Sequence, residues 1–288
     1  MNAPQSLFRP LTESVDPQAW ITFSQSAGGD SYISAQQVGY PFHLGRTLKL
    51  PDDPPGMAAV YLQSCSGGIF AGEHLHVRLH AEAGSQVHVS TGAATIAHSM
   101  LEQPARQVVS LEAGSGALLE YLPMTTILFP HAKLHSRVNV TLHPESRVMI
   151  CDAFSLHAPQ GSSETFDVYR ADLEVRSPSG QLLAGDTLAL SGEDMRRRLP
   201  GVSEGMQALS TFMLLGHGLP VDTLKQQLRD VLSVLPDSYV GVSALPNDCG
   251  VSVRIMTLDA VALRQALHCV WSCAREQLTG ITPRPRRK

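Results

Sequence analysis

Three histidines, His74, His76 and His80, fall at even positions in "EHLHVRLHAE" and alternate with Leu75, Val77 and Leu79. Alternate side chains of a strand share a face, so the three imidazoles line one side of it. Imidazole suits borderline metals such as nickel or zinc. Arg78 stands inside the row, however, and repels a cation. The same alternation describes an antiparallel strand with one face in water, and this plainer reading is preferred. Two acids stand within apolar runs: Glu120 between "ALL" and "YLP", and Asp152 between "VMIC" and "AF". A carboxylate in such a run must be paired, hydrogen-bonded, ligating, or set at a strand end that faces water. Cys269 and Cys273 lie one helical turn apart beside His268. Val270 and Trp271 mark that helix as core, where cysteine is common.

No phosphate loop, dinucleotide-binding glycine fingerprint or H-E-x-x-H occurs, and no nucleophile elbow. Nothing announces an enzyme, and any nucleotide hydrolysis would have to come from a partner. The chain has 288 residues, is 43% hydrophobic and carries a net charge of −4. That length buries a large core, and the acidic balance argues against nucleic acid as a main partner. The basic run Arg284, Arg286, Arg287 and Lys288 is interleaved with prolines and reads as a solvated tail over 281–288. No apolar run has membrane-spanning length and no signal peptide opens the chain, so a cytoplasmic site is expected. Five cysteines without a disulfide framework fit a reducing compartment.

The elements that must hold these residues are mostly strands. Two or three short ones are expected before Leu50, broken at Gly28-Gly29 and Pro41, and "PDDPPG" is a loop. Then "AEAGSQVHV", "LEAGSGALL" and "LHPESRVMI" repeat one pattern, with starts at Ala81, Leu111 and Leu142. Such a period suggests stacked units sharing a continuous core, with hairpin-like turns repeated along an axis. More strands are expected at 165–177 and 182–190, with a turn at Pro178-Ser179-Gly180. "SGEDMRRRLPGVSEG" reads as a surface loop, and "ALSTFMLLGHG" as a strand or a short helix. Two helices follow, 221–235 with its apolar stripe and 259–278 capped by Asp259 and Gly280, separated by a strand pair around "PNDCG". The expected fold is all-β with about two C-terminal helices: a layered, β-helix-like stack with a body over 7–200 and a mixed α/β part over 201–280, in one domain.

Several of these stretches resemble the UreD (UreH) urease accessory proteins. "SGGIFAGEHL" is similar to their glycine motif, with Glu73 where they carry Asp. "GSQVHVSTGAAT" and "GALLEYLPMTTILFPHAKL" resemble their Thr-rich strand and "LEYLP" segment, while "CDAF" and "GSSETFDV" sit where they have an acidic strand end and a "GE-x-F" element. The resemblance is densest from Tyr61 to Asp167. It implies a layered β fold and a non-enzymatic nickel metallochaperone scaffold. It also implies complexes with a helical UreF-like protein, a UreG-like GTPase and apo-urease, and an interior route that carries nickel to the urease active site. Nickel is then a transient passenger, not a resident cofactor. Glu73, Glu120 and Asp152 are the candidate carboxylates along such a route, and His74, His76 and His80 an auxiliary capture face. The rival reading is a carbohydrate-active enzyme on a β-helical scaffold, with two carboxylates as acid and base.

Overall fold

The computed structural model describes residues 16–157 and 164–285. The end of the basic tail (286–288), the expected start of the body (7–15) and Gly161–Ser163 of the "GSSETFDV" stretch lie outside the described residues. The chain enters with β1 (Ala19–Gln25), β2 (Ser31–Val38), β3 (Phe42–Leu44) and β4 (Ala58–Ser64). The repeat then winds a coil. β5 (His74–Ala81), β6 (Gln86–Ser90) and β7 (Thr95–Ala97) make one turn of it. β8 (Ala105–Ala113), β9 (Leu118–Tyr121) and β10 (Thr126–Leu128) make the next, and β11 (Lys133–Leu142) and β12 (Arg147–Leu156) the third. Like strands of successive turns pair in parallel: β5, β8 and β11 on one side, β6, β9 and β12 on another. β7, β10 and the end of β12 close a short third side.

The protein is therefore mainly β, a stacked solenoid-like body with helices at its C-terminal end, as the sequence predicts. Two features correct the expectation. The repeated turns are not hairpins. Each joins a strand of one sheet to a strand of the opposite sheet, so β5 and β6 never pair with each other. The repeat register also differs. Ala81 lies beside Ala113, and Ala113 beside Leu142, steps of 32 and 29 residues rather than 30 and 31. Sequence likeness aligned the turns, whereas inward-facing apolar residues set the ladder. The turns share one backbone demand, a left-handed residue, filled by Gly84 and Gly116 (φ 74° and 69°) and in the third copy by Glu145 (φ 62°).

β13 (Val168–Arg176) extends the first sheet in parallel and β14 (Leu182–Ser191) closes it as a hairpin through the expected turn. The segment expected as loop after it holds a single-turn helix α1 (Gly192–Arg196), because Ser191 caps it by accepting from the Asp194 N–H. β15 (Ala208–Leu215) then joins the second sheet as a strand. Helix α2 (Val221–Ser233), β16 (Ser238–Ala244), β17 (Gly250–Thr257) and helix α3 (Ala260–Thr279) complete the chain. Asp259 accepts from the N–H groups of Val261 and Ala262, and Gly280 ends α3 in the left-handed region. No described helix is long and apolar enough to cross a membrane.

Both faces of the second sheet are covered. Val87, Val89, Leu119, Tyr121, Val148 and Ile150 point toward the first sheet and meet Ile21, Val77, Leu79, Val109, Leu111 and Val140. Met149, Cys151, Phe212 and Val253 point the other way, into a second core with Leu224, Leu228, Leu263 and Val270 of the helices. Successive residues of one strand thus serve two different cores, which decides where each acid goes.

Candidate functional site

Asp152 follows Val148 and Ile150 at even spacing, so it faces the space between the sheets. There the Tyr169 hydroxyl of β13 donates to both of its carboxylate oxygens, each at 2.8 Å. A cavity of about 20 Å³ adjoins the carboxylate, lined by Ser136, Thr211 and Asp186 among apolar neighbours including Ile150 and Met213. That is room for about one water-sized occupant. Burial pushes the Asp152 carboxyl up to about 6; the Tyr169 hydrogen bond opposes this and the Asp186 charge adds to it. Asp186 sits at the edge of the first sheet. Arg254 of β17 reaches it from the second sheet, donating to both oxygens at 2.9 and 2.7 Å. This corner holds a carboxylate poised near neutrality, hydroxyl oxygens and an ion pair that ties the sheets together.

Glu120 lies on the opposite face. It follows the inward Leu119, so it enters the layer under α3. It is fully buried there, and its partners are fixed. Arg275 Nε donates to one carboxylate oxygen at 2.7 Å, and Arg275 Nη2 to the other. His88 Nδ1, the neighbour of Glu120 in the ladder, lies 2.7 Å from that second oxygen, and Trp271 Nε1 donates to it at 3.1 Å. Burial alone would raise this carboxyl, but the hydrogen bonds and charges of His88 and Arg275 outweigh it and hold it down at about 2. Arg275 also donates through Nη1 to Asp53 and stacks over the Trp271 ring at 4.6 Å. This is a structural ion-pair network.

Glu73 belongs to neither place. Its carboxylate accepts from the Phe70 N–H at 2.9 Å and closes the turn before β5. His74, His76 and His80 do share the outer face of the first sheet, and His76 Nε2 bonds the Ser110 hydroxyl at 3.1 Å. The structure does not bring the three acids together, nor the acids to the histidines. Among the described residues no group of three or more His, Cys, Asp or Glu is placed to hold a metal ion. Cys269 and Cys273 are half-buried along the groove between α2 and α3.

Sequence reasoning missed Asp53, Arg275, Tyr169 and Asp186. Arg275 had a signal. It follows Trp271 by one turn on an apolar helix, and a cation there needs an acid. Glu120, an acid in an apolar strand, needs a cation. Tyr169 and Asp186 carried none, since each reads as an ordinary strand residue.

The model of the UreD urease accessory protein family matches residues 17–288. The chain belongs to the UreD urease accessory protein family. It is 70% identical to urease accessory protein UreD 1 of Pseudomonas syringae pv. tomato over 288 residues, the whole of both chains. Against UreD 1 of Methylorubrum populi it is 33% identical over 94% of this chain and 91% of that one. UreD of Natronomonas pharaonis is 30% identical over 90% and 87%. The second glycine of "SGGIFAGEHL" has a steric reason. Gly68 has a φ of 143°, and a Cβ there would stand 2.2 Å from the Ile96 carbonyl oxygen, so only glycine fits.

Proposed function

We propose that this UreD family member is a non-catalytic cytoplasmic scaffold that passes nickel toward apo-urease, assembled with a UreF-like helical protein and a UreG-like GTPase. Family membership supports the role in urease maturation. The observation that carries the nickel step is Asp152, a half-buried carboxylate without a fixed cationic partner beside a water-sized space between the sheets. Near pH 7 such an acid is mostly ionised and can take an incoming cation directly. With few oxygen donors the cation is held loosely, as a passenger must be. Tyr169 orients the carboxylate, and the Ser136 and Thr211 hydroxyls replace part of the hydration shell. Glu120 takes no part in this path, because Arg275 already neutralises it. The carbohydrate-active alternative needs two carboxylates facing one cleft, and Glu120 and Asp152 face opposite sides of one sheet.

The test is Asp152→Asn in a reconstituted urease activation assay with UreF-like and UreG-like partners. Activation per folded molecule is expected to fall at least about tenfold while the melting temperature holds or rises. Activation at the wild-type level would overturn the proposal.

A further inference from the structure

The outer face of the first sheet is not covered by any described element. Its middle strands β5, β8 and β11 run in parallel, and their pairing fixes which outward residues are neighbours. Val108 is at the centre, with His76 beside it on β5 and Arg137 beside it on β11. Arg106 and Ser110 precede and follow it on β8. Arg78 stands beside Ser110, and Trp20 of β1 beside Arg78. At the near end His74 is paired with Arg106 and His135 lies across from it. Val108 thus has the guanidinium groups of Arg106 and Arg137 beside it and Arg78 one strand over, on a chain whose net charge is −4.

The acids on this face compensate only part of that charge. Asp172 is buried under its neighbours and accepts from His135 at 2.6 Å and from Arg170 at 2.9 and 3.0 Å, with Arg137 3.6 Å away. Glu174 is taken by Arg176, Glu112 faces His143, and Lys133 pairs with Asp167. Neither Arg78 nor Arg106 has a carboxylate within ion-pairing distance among the described residues. The Arg137 Nε is buried without a hydrogen-bond partner.

We propose that this face docks a partner protein through a carboxylate-bearing patch, with Arg78, Arg106 and Arg137 as its anchors and Val108 and Trp20 as apolar contacts on either side of β5. Charge complementarity selects an acidic surface. Planar guanidinium groups match carboxylates two bonds at a time, and arginine with tryptophan is the chemistry of interface hot spots. Glu112 and Glu174 bracket the patch and would repel a continuous polyanion, so a protein with discrete acids fits better than nucleic acid. The histidine row of β5 belongs to this surface as its edge, not to a metal site. The inference rests on the urease-maturation reading only for the choice of probe, the cognate urease apoprotein.

Binding of the full chain to that apoprotein is measured across salt concentrations for three proteins: wild type, Arg78→Glu/Arg106→Glu, and a charge-matched control, Arg46→Glu/Arg264→Glu, away from this face. The first pair is expected to raise Kd at least about tenfold and flatten the salt dependence, with the melting temperature unchanged. The control should stay within about threefold. Equal binding by wild type and the Arg78/Arg106 variant overturns the docking face and leaves the function standing. Wild type that fails to bind the apoprotein overturns both. Binding of a 20-base-pair DNA duplex more tightly than the apoprotein, lost in the variant, overturns the protein partner in favour of nucleic acid.

Discussion

Glu120, fully buried, and Asp152, half-buried, are two acids with opposite energetics. Glu120 is stabilised by its surroundings: its carboxyl is held at about 2, so its contribution is present above the ordinary glutamate range and is lost as pH falls through 2. Glu120→Gln removes the charged acceptor of Arg275, His88 and Trp271 and leaves Arg275 with Asp53 alone, and unfolding experiments at pH 7 should show a loss of about 1.5–3 kcal/mol. Replacing the network together, Glu120→Leu with Arg275→Met and Asp53→Asn, should recover much of that loss. A loss below about 1 kcal/mol for Glu120→Gln would mean the network is not structural. Asp152 behaves the other way. Its carboxyl is pushed up to about 6, so the ionised form costs stability, and the cost grows as pH rises from the ordinary aspartate range through 6. Asp152→Asn should therefore raise stability at pH 8 by roughly 1–3 kcal/mol and change little near pH 4. Denaturation at the two pH values checks this, and destabilisation at pH 8 would contradict it. The sequence displayed both acids as anomalies but could not sort them. The sorting depends on strand parity and on Arg275, 155 residues away from Glu120.

At the scale of elements, the strands and the C-terminal helices were legible because their signals are local. Apolar alternation marks β5, β8 and β11, and Asp259 and Gly280 bound α3 within a residue or so. The hairpin expectation failed for a physical reason. A tight turn between two alternating strands looks the same whether the strands pair with each other or open onto facing sheets. The choice is made by the neighbouring coils. The third repeat, degenerate in sequence, keeps the turn by forcing Glu145 into the left-handed region. Glu145→Gly should relieve that conformation and stabilise the protein by up to about 1 kcal/mol, visible as a small rise in melting temperature. A fall would show that the Glu145 side chain contributes more than its backbone costs. The same coil core makes Leu111, buried between the sheets, sensitive: Leu111→Ala should cost about 2–5 kcal/mol.

At the scale of the whole molecule, the second sheet divides the labour. One face holds the helices through the Glu120–Arg275 network, and the other, with the first sheet, encloses the corner where Asp152 waits. The first sheet turns its own outer face, with Arg78 and Arg106, to solvent. The proposed passage and docking therefore fall to layers separate from the Glu120–Arg275 network, so that a change in one need not disturb the others. The central claim is that nickel occupies the inter-sheet space at Asp152. Anomalous diffraction at the nickel edge, on crystals soaked in nickel at neutral pH, tests it most directly. The account predicts a peak beside the Asp152 carboxylate that disappears in Asp152→Asn. A peak confined to the imidazoles of His74, His76 and His80, with none between the sheets, would contradict it.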